Sequence, residues 1–196
     1  MPVPPRVNRW WSFFVESGAR TQIDPYLLAA ICDRESAGGD ELIPDGPAGT
    51  GDFSARCAVC RLARAGKPGK EVNCLKCGRL MTVPVLGHGR GLMQIDDGSH
   101  AAWLATHDWR DPQVNIEGGA QILFDTLRAC GGDLDMGVAG YNAGAGAAIK
   151  AVSHVDRTTP RALRIAALDA ITAIGPSRRP DYVSDVWRRH DLFIAR

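Results

Sequence analysis

Three groups of side chains in this 196-residue chain could do chemistry. The first centres on Glu35, near the end of the run Asp24-Pro25-Tyr26-Leu27-Leu28-Ala29-Ala30-Ile31-Cys32-Asp33-Arg34-Glu35-Ser36, which reads as a helix. Asp24 can accept hydrogen bonds from the first-turn amides, Pro25 suits the first helical position, and Gly38-Gly39 offers a left-handed stop. Leu28, Ile31, Cys32 and Glu35 recur at three- and four-residue spacings and share one face. A carboxylate at the end of an apolar stripe is costly to ionise, so its pKa is expected to rise, which suits a general acid. The alternative is a solvated glutamate at a frayed helix end. The second group is Cys57, Cys60, Cys74 and Cys77, two CxxC pairs with thirteen residues between them. Each pair can place two thiolates on one turn, and four thiolates make a closed tetrahedral Zn²⁺ site. Two disulfides are the competing reading. A closed site leaves no position for substrate, so the zinc is expected to be structural, a staple for a long insertion, and no catalytic cofactor is expected. The third group is Gly87-His88-Gly89-Arg90-Gly91-Leu92-Met93-Gln94-Ile95-Asp96, where glycines permit close backbone approach and Gln94 and Asp96 flank an apolar residue.

The remaining elements are mostly helical. Residues 6–20, with Trp10, Trp11, Phe13, Phe14 and Val15, predict a first helix that buries aromatic surface and ends at Gly18; sugar stacking by the paired tryptophans is the alternative. Residues 40–50 are rich in Gly, Pro and acids and read as loop. A short helix is expected over 99–106, with Trp103 and Leu104. A longer one starts at Asp111-Pro112 and ends at Gly131-Gly132, its apolar face given by Val114, Ala120, Ile122, Leu123 and Leu127. Residues 134–141 predict a small-residue helix able to pack against the Glu35 helix. Helices follow over 145–152, over 161–174 with Leu163, Ile165, Ala166, Leu168 and Ile171 inward, and over 180–193. Cys32 and Cys130 are expected to be buried free thiols.

The order Arg34-Glu35-Ser36, Gly91-Leu92-Met93-Gln94-Ile95-Asp96, Ser99-His100 and Gly140-Tyr141-Asn142-Ala143-Gly144-Ala145-Gly146 resembles the goose-type lysozymes, relatives of the soluble lytic transglycosylases. Asp181-Tyr182-Val183-Ser184-Asp185-Val186 resembles that family's final helix. The resemblance covers most of residues 21–196 outside the cysteine segment. It implies a mainly α, α+β lysozyme-like fold: one domain, 1–196, with helices bundled around a catalytic helix and a small irregular or β zinc-binding insertion at 53–86. It implies Glu35 as general acid and Asp96 as a second functional acid. A further acid usually lies shortly before the Gly-Leu-Met-Gln stretch, where this chain is apolar near Val85. Asp52, ahead of the cysteine segment, is the candidate if the insertion split that loop; a simple turn residue is the alternative. Tyr141 and Tyr182 match cleft-lining aromatics, and Gln94, His100 and Asn142 match sugar-holding polar positions.

The expected activity is a muramidase cleaving the β-1,4 bond between N-acetylmuramic acid and N-acetylglucosamine. A base roughly 6.5–9.5 Å from the acid would make it inverting. The alternatives are a lytic transglycosylase forming anhydro ends, or, in another class, a non-catalytic wall-binding or nucleic-acid-binding zinc protein. The composition, 45% hydrophobic and 23% charged, is that of an ordinary globular domain. A net charge of +1 announces no polyanionic partner. Two basic stretches could steer the protein to an anionic polymer: residues 56–79, with seven Lys/Arg and one acid, and residues 150–196, with nine and five. Peptidoglycan is the expected partner. Nucleic acid is disfavoured for want of a reading helix or base-stacking aromatics, and a monomer is expected. No apolar run is long enough for a membrane span. Met1-Pro2-Val3-Pro4-Pro5 lacks the features of a signal peptide, so synthesis in a cytoplasm, as for a phage endolysin, or a missing leader is expected.

Overall fold

The Glu35 helix starts where its N-terminal signals predict. In a computed structural model of the chain, which describes residues 3–42, 44–51, 89–156, 158–172 and 181–195 and the backbone of short strands between 55 and 82, it spans Pro25–Ser36. Asp24 accepts the Tyr26 amide at 2.9 Å, and Pro25 occupies the first turn. The stop differs from expectation. Ala37 itself is left-handed (φ 52°), followed by Gly38 and Gly39 at positive φ. A non-glycine there carries backbone strain, two residues after the candidate acid. The helix is also more central than a one-sided stripe implies, because residues Leu27 to Asp33 are all buried.

Preceding it are α1 (Pro5–Asn8) and α2 (Trp11–Thr21); the Glu35 helix is α3. The predicted single first helix is thus two. Gly18 does not end α2: it lies inside the helix, where a Cβ would stand 2.6 Å from the Ile23 carbonyl. The stop is Gln22 in the left-handed region. Trp10 donates to the Gly38 carbonyl at 3.0 Å and Trp11 packs on Tyr26, so this aromatic pair belongs to the scaffold.

After α3 come β1 (Ala55–Arg56) paired antiparallel with β2 (Ala63–Arg64), β3 (Glu71–Asn73) with β4 (Leu80–Thr82), and β5 (Gly89–Arg90) with β6 (Ile95–Asp96). The helical half is α4 (Ala101–Thr106), α5 (Pro112–Ala129), α6 (Leu134–Ala143), α7 (Ala145–Val152), α8 (Arg161–Thr172) and α9 (Tyr182–Ile194). Asp111 caps α5 through the Val114 amide and Asp133 caps α6 through the Met136 amide, each at 3.0 Å. One core joins Phe14, Leu28, Ile31, Leu92, Met93, Ile116, Leu123, Val138, Leu168 and Val186. Leu168 of α8 is buried as expected, whereas Leu163 is exposed, and the helix also buries Asp169.

Two expectations about neighbours change. The small-residue helix α6 packs mainly on α5, α7 and α8 rather than on α3, because Gly137 faces Leu127 and Gly140 faces Thr126. Four cations of the C-terminal basic stretch are paired with acids of the fold: Arg161 with Asp135 at 2.7 Å, Arg164 with Asp133, Arg188 with Asp185, and Arg189 with Asp33. Those four cations are neutralised locally and contribute little to steering. Cys32 and Cys130 are free and buried, as expected. Among the described residues no helix is long and apolar enough to cross a membrane.

Candidate active site

The last four residues of α3 tie its end to three other parts of the fold. Asp33, 4% exposed, receives Arg6 Nε from α1 at 2.7 Å and Arg189 from α9. Arg34 lies over the Tyr182 ring, 5.5 Å from its centroid, and bridges Asp181 at 3.1 Å and Asp185 at 3.4 Å. Glu35 Oε1 accepts the Tyr182 hydroxyl. Ser36 Oγ donates to the Leu92 carbonyl at 2.7 Å and accepts the Gly39 amide at 3.1 Å. The helix end is therefore clamped to α1, to α9 and to the loop before β6. Burial alone would raise Asp185, but hydrogen bonds from Arg189 and Arg188 and the charge of Arg34 hold it below the usual carboxylate range. The α3–α9 tie is thus fully ionised at neutral pH.

Burial, and next the negative charge of Glu35, push both Tyr141 and Tyr182 well above the ordinary phenol range. Each remains a hydrogen-bond donor at any working pH. Tyr182 spends its proton on Glu35, and Tyr141 donates to the Met93 carbonyl at 2.6 Å. Behind them the Cys32 thiol is pushed up to about 12 by burial, so it is an inert core group.

The Gly-Leu-Met-Gln segment is built around Asn115, a fully buried residue of α5. Its Oδ1 accepts the Met93 amide at 2.8 Å, and its Nδ2 donates to the Arg90 and Trp109 carbonyls at 3.1 and 3.0 Å. Gly91 must be glycine: φ is +67°, and a Cβ would meet Asn115 Nδ2 at 2.3 Å. Gln94 is left-handed at φ 51°, and its Nε2 donates to the Gly91 carbonyl at 2.7 Å. Its amide packs on Gly51, where a Cβ would fall 1.6 Å from Oε1. Gln94 thus helps close its own loop.

Asp96 sits on β6 opposite Gly89, and its Oδ2 accepts the Ser99 amide at 2.8 Å. His100 is half-buried at the start of α4, and Asn142 is exposed in the last turn of α6. The structure thus brings Glu35, Tyr182, Tyr141 and the Gly-Leu-Met-Gln loop together through direct contacts and places Asp96 on the ribbon that continues from that loop. Asp52 and the four cysteines Cys57, Cys60, Cys74 and Cys77 lie outside the described residues. The chain leaves the described fold at Gly51 and re-enters it at Gly89, and these two are hydrogen-bonded, Gly51 N to Gly89 O at 3.1 Å. Thr50 also bridges Arg90.

Sequence reasoning missed three positioning residues: Ser36, Asn115 and Asp169. Asp169 of α8 is 6% exposed and caps α9 from outside, accepting Val183 N at 2.7 Å, Ser184 N at 3.3 Å and Ser184 Oγ at 2.6 Å. Asp181, at the N-cap position of α9, makes no side-chain cap because its carboxylate is engaged by Arg34. A lone acid inside the apolar run Ile165-Ala166-Ala167-Leu168-Asp169-Ala170-Ile171 was the available signal.

No curated protein matches the chain. The family model described as the transglycosylase SLT domain matches residues 12–163, which takes in Glu35, Asp96, Tyr141 and Asn142 and stops short of Asp169 and Tyr182. With well over half its length matched, and with a helix-end glutamate held by a buried tyrosine beside the Gly-Leu-Met-Gln loop, the chain belongs to the transglycosylase SLT domain family of peptidoglycan-cleaving, lysozyme-like enzymes.

Proposed function

We propose that the protein is a muramidase that hydrolyses the β-1,4 bond between N-acetylmuramic acid and N-acetylglucosamine, with Glu35 as general acid. The observation that carries this reading is the Tyr182 hydroxyl donating to Glu35 Oε1. That bond fixes Oε1 as an accepting oxygen and so orients the carboxyl group. In its protonated form Glu35 gives its proton to the bridging oxygen as the glycosidic bond breaks, and positive charge develops on the anomeric carbon. Water then attacks that carbon while a carboxylate takes its proton. Asp96 is our candidate base, with Asp52 the second candidate, since residue 52 directly follows the Gly51–Gly89 closure. Tyr141, Gln94, His100 and Asn142 are assigned to the sugar-binding wall.

A second reading is a lytic transglycosylase, in which the muramic acid 6-hydroxyl attacks in place of water and a 1,6-anhydro ring forms. It is favoured by the family description and by Asp96 Oδ2 being engaged in the turn to Ser99. Mass spectrometry of digested peptidoglycan separates the two. Reducing ends support the muramidase; anhydro ends replace it with the transglycosylase.

We also propose one structural Zn²⁺ held by Cys57, Cys60, Cys74 and Cys77. Each CxxC pair falls, in sequence, between the two strands of one antiparallel pair, β1–β2 and β3–β4. The donor set suits zinc: four thiolates, a closed shell, no role in the reaction. Among the described residues no other cluster could hold a metal. Protein purified without added metal is expected to contain about one zinc per chain, as for a four-cysteine site. Disulfides at these positions in the purified protein would contradict it.

Asp169 is expected to act on turnover through Tyr182. Asp169→Ala removes the external cap of α9, costing about 1–2 kcal/mol of stability. It also loosens the tyrosine that orients Glu35, so kcat should fall about tenfold or more with KM little changed. Asp169→Asn keeps an acceptor for Val183 N and should recover most of the rate. If the two variants lose kcat equally, or the loss falls on KM, the positioning role is wrong.

A further inference from the structure

A second pocket lies between α2, α4 and α5, lined by none of the candidate catalytic or sugar-binding residues. Its walls are Arg20, Trp103, His107, Glu117 and Gln121, with Ser17 beneath. Trp103 and His107 stack face to face, with centroids 4.5 Å apart and planes only 9° from parallel, giving a two-ring aromatic stack. The indole is drawn down onto α5 because residue 118 is glycine; a Cβ there would stand 2.4 Å from Trp103 Cζ2. Arg20 Nη2 meets Glu117 Oε1 at 2.6 Å, and Gln113 Nε2 donates to the same oxygen at 2.9 Å. The hydrogen bond from Arg20 holds Glu117 below the usual carboxylate range, so the pair is ionised and the pocket is electrically balanced. Ser17 is 1% exposed, and its hydroxyl has no hydrogen-bond partner among the described residues. A buried polar group without a partner is rare and costly in a native fold.

These features fit a narrow chemical class. A balanced charge disfavours a net anion or cation. Planar polar groups that between them donate and accept, set beside a stacked aromatic pair, match a ring with an apolar face and a rim of hydroxyl and amide groups. We propose that this pocket is a second glycan-binding site, taking an N-acetylhexosamine ring of the peptidoglycan strand. The proposal rests on the family's substrate but not on which residues perform the chemistry. Its expected use is to hold the enzyme on polymeric wall while the Glu35 site works elsewhere on the strand. α4 begins five residues after Asp96, so the pocket wall and the catalytic ribbon are one continuous stretch of chain.

The test uses the full chain carrying Glu35→Gln, so that no glycan is consumed. A tetramer of N-acetylglucosamine is titrated while the Trp103 indole and Gln121 amide resonances are followed by NMR. Both should shift with one saturation curve, separate from that of residues around Glu35. Adding Arg20→Ala and Gln121→Ala, both at exposed positions, should weaken this curve by about tenfold, as for two ordinary hydrogen bonds, and leave the other curve unchanged. Binding to insoluble peptidoglycan should fall in parallel. No shift at Trp103, or an unchanged curve in the variant, overturns the proposal. So does a response to a free stem peptide and not to the tetramer. If the Glu35→Gln protein proves fully active, the Glu35 assignment fails, while the Trp103 and Gln121 curve still decides the pocket.

Discussion

Glu35→Gln is expected to lower turnover on peptidoglycan by about a hundredfold to ten-thousandfold, the usual contribution of a general acid. The substitution is close to isosteric. The side-chain carbonyl of glutamine can still accept the Tyr182 hydroxyl, so the contact that fixes the end of α3 survives. What is lost is the ability to deliver a proton to the leaving oxygen, because an amide nitrogen is far too weak an acid. The clamp around the position is independent of the charge at Glu35: Asp33 to Arg6 and Arg189, Arg34 to Asp181 and Asp185, Ser36 to Leu92. The thermal midpoint should therefore move by only a few degrees, within the range of about 1 kcal/mol. Rates of wall clearance, muropeptide release and thermal unfolding measured on one preparation check all three statements. Near-normal muropeptide release would remove Glu35 from the mechanism. A large drop in the midpoint would mean the lost rate is a folding effect.

The caps of α3 and α5 could be read from the chain because each rests on a local rule: an aspartate accepts an amide two or three residues ahead. The short motifs carrying Glu35, Asp96 and Tyr141 were legible for a similar reason, since each is contiguous. The missed features are long-range. Asp33 looks like a solvated helix residue, yet it is buried because two arginines from opposite ends of the chain converge on it. Asp169 and Val183 are separated by a Gly-Pro break and meet only once α8 and α9 are packed. The helix α6 could pack on α3 or α5 as far as its small residues go, and the choice was made by Leu127 and Thr126 on the partner. Gly18 followed a valid rule, that glycine ends helices, and broke it because a carbonyl needed the space of its missing side chain.

Asn115→Ala is expected to destabilise the protein by about 2–4 kcal/mol, roughly 5–15 °C in midpoint for a chain of this size. Asn115 is fully buried and uses both ends of its carboxamide. Alanine would strand the buried Met93 amide, at about 1–3 kcal/mol unless water enters, and would remove a donor from the carbonyls of Arg90 and Trp109. The same three bonds fix the Gly-Leu-Met-Gln loop, which also takes hydrogen bonds from Ser36 and Tyr141. Asn115→Asp separates packing from hydrogen bonding. Its shape is that of asparagine, and it keeps an acceptor for the Met93 amide. It replaces the Nδ2 donor with an oxygen that would face two carbonyl oxygens. If the loop is held by that donor, the aspartate variant should be as unstable as the alanine variant, and worse as pH rises and its carboxylate ionises. If volume alone matters, the aspartate variant should unfold near the parent's midpoint. In either destabilised variant, below its unfolding temperature, kcat on peptidoglycan should fall about tenfold to a hundredfold, because a displacement near 1 Å at the loop misplaces the groups opposite Glu35. Unfolding curves at two pH values, with rates measured well below each midpoint, decide between the two accounts.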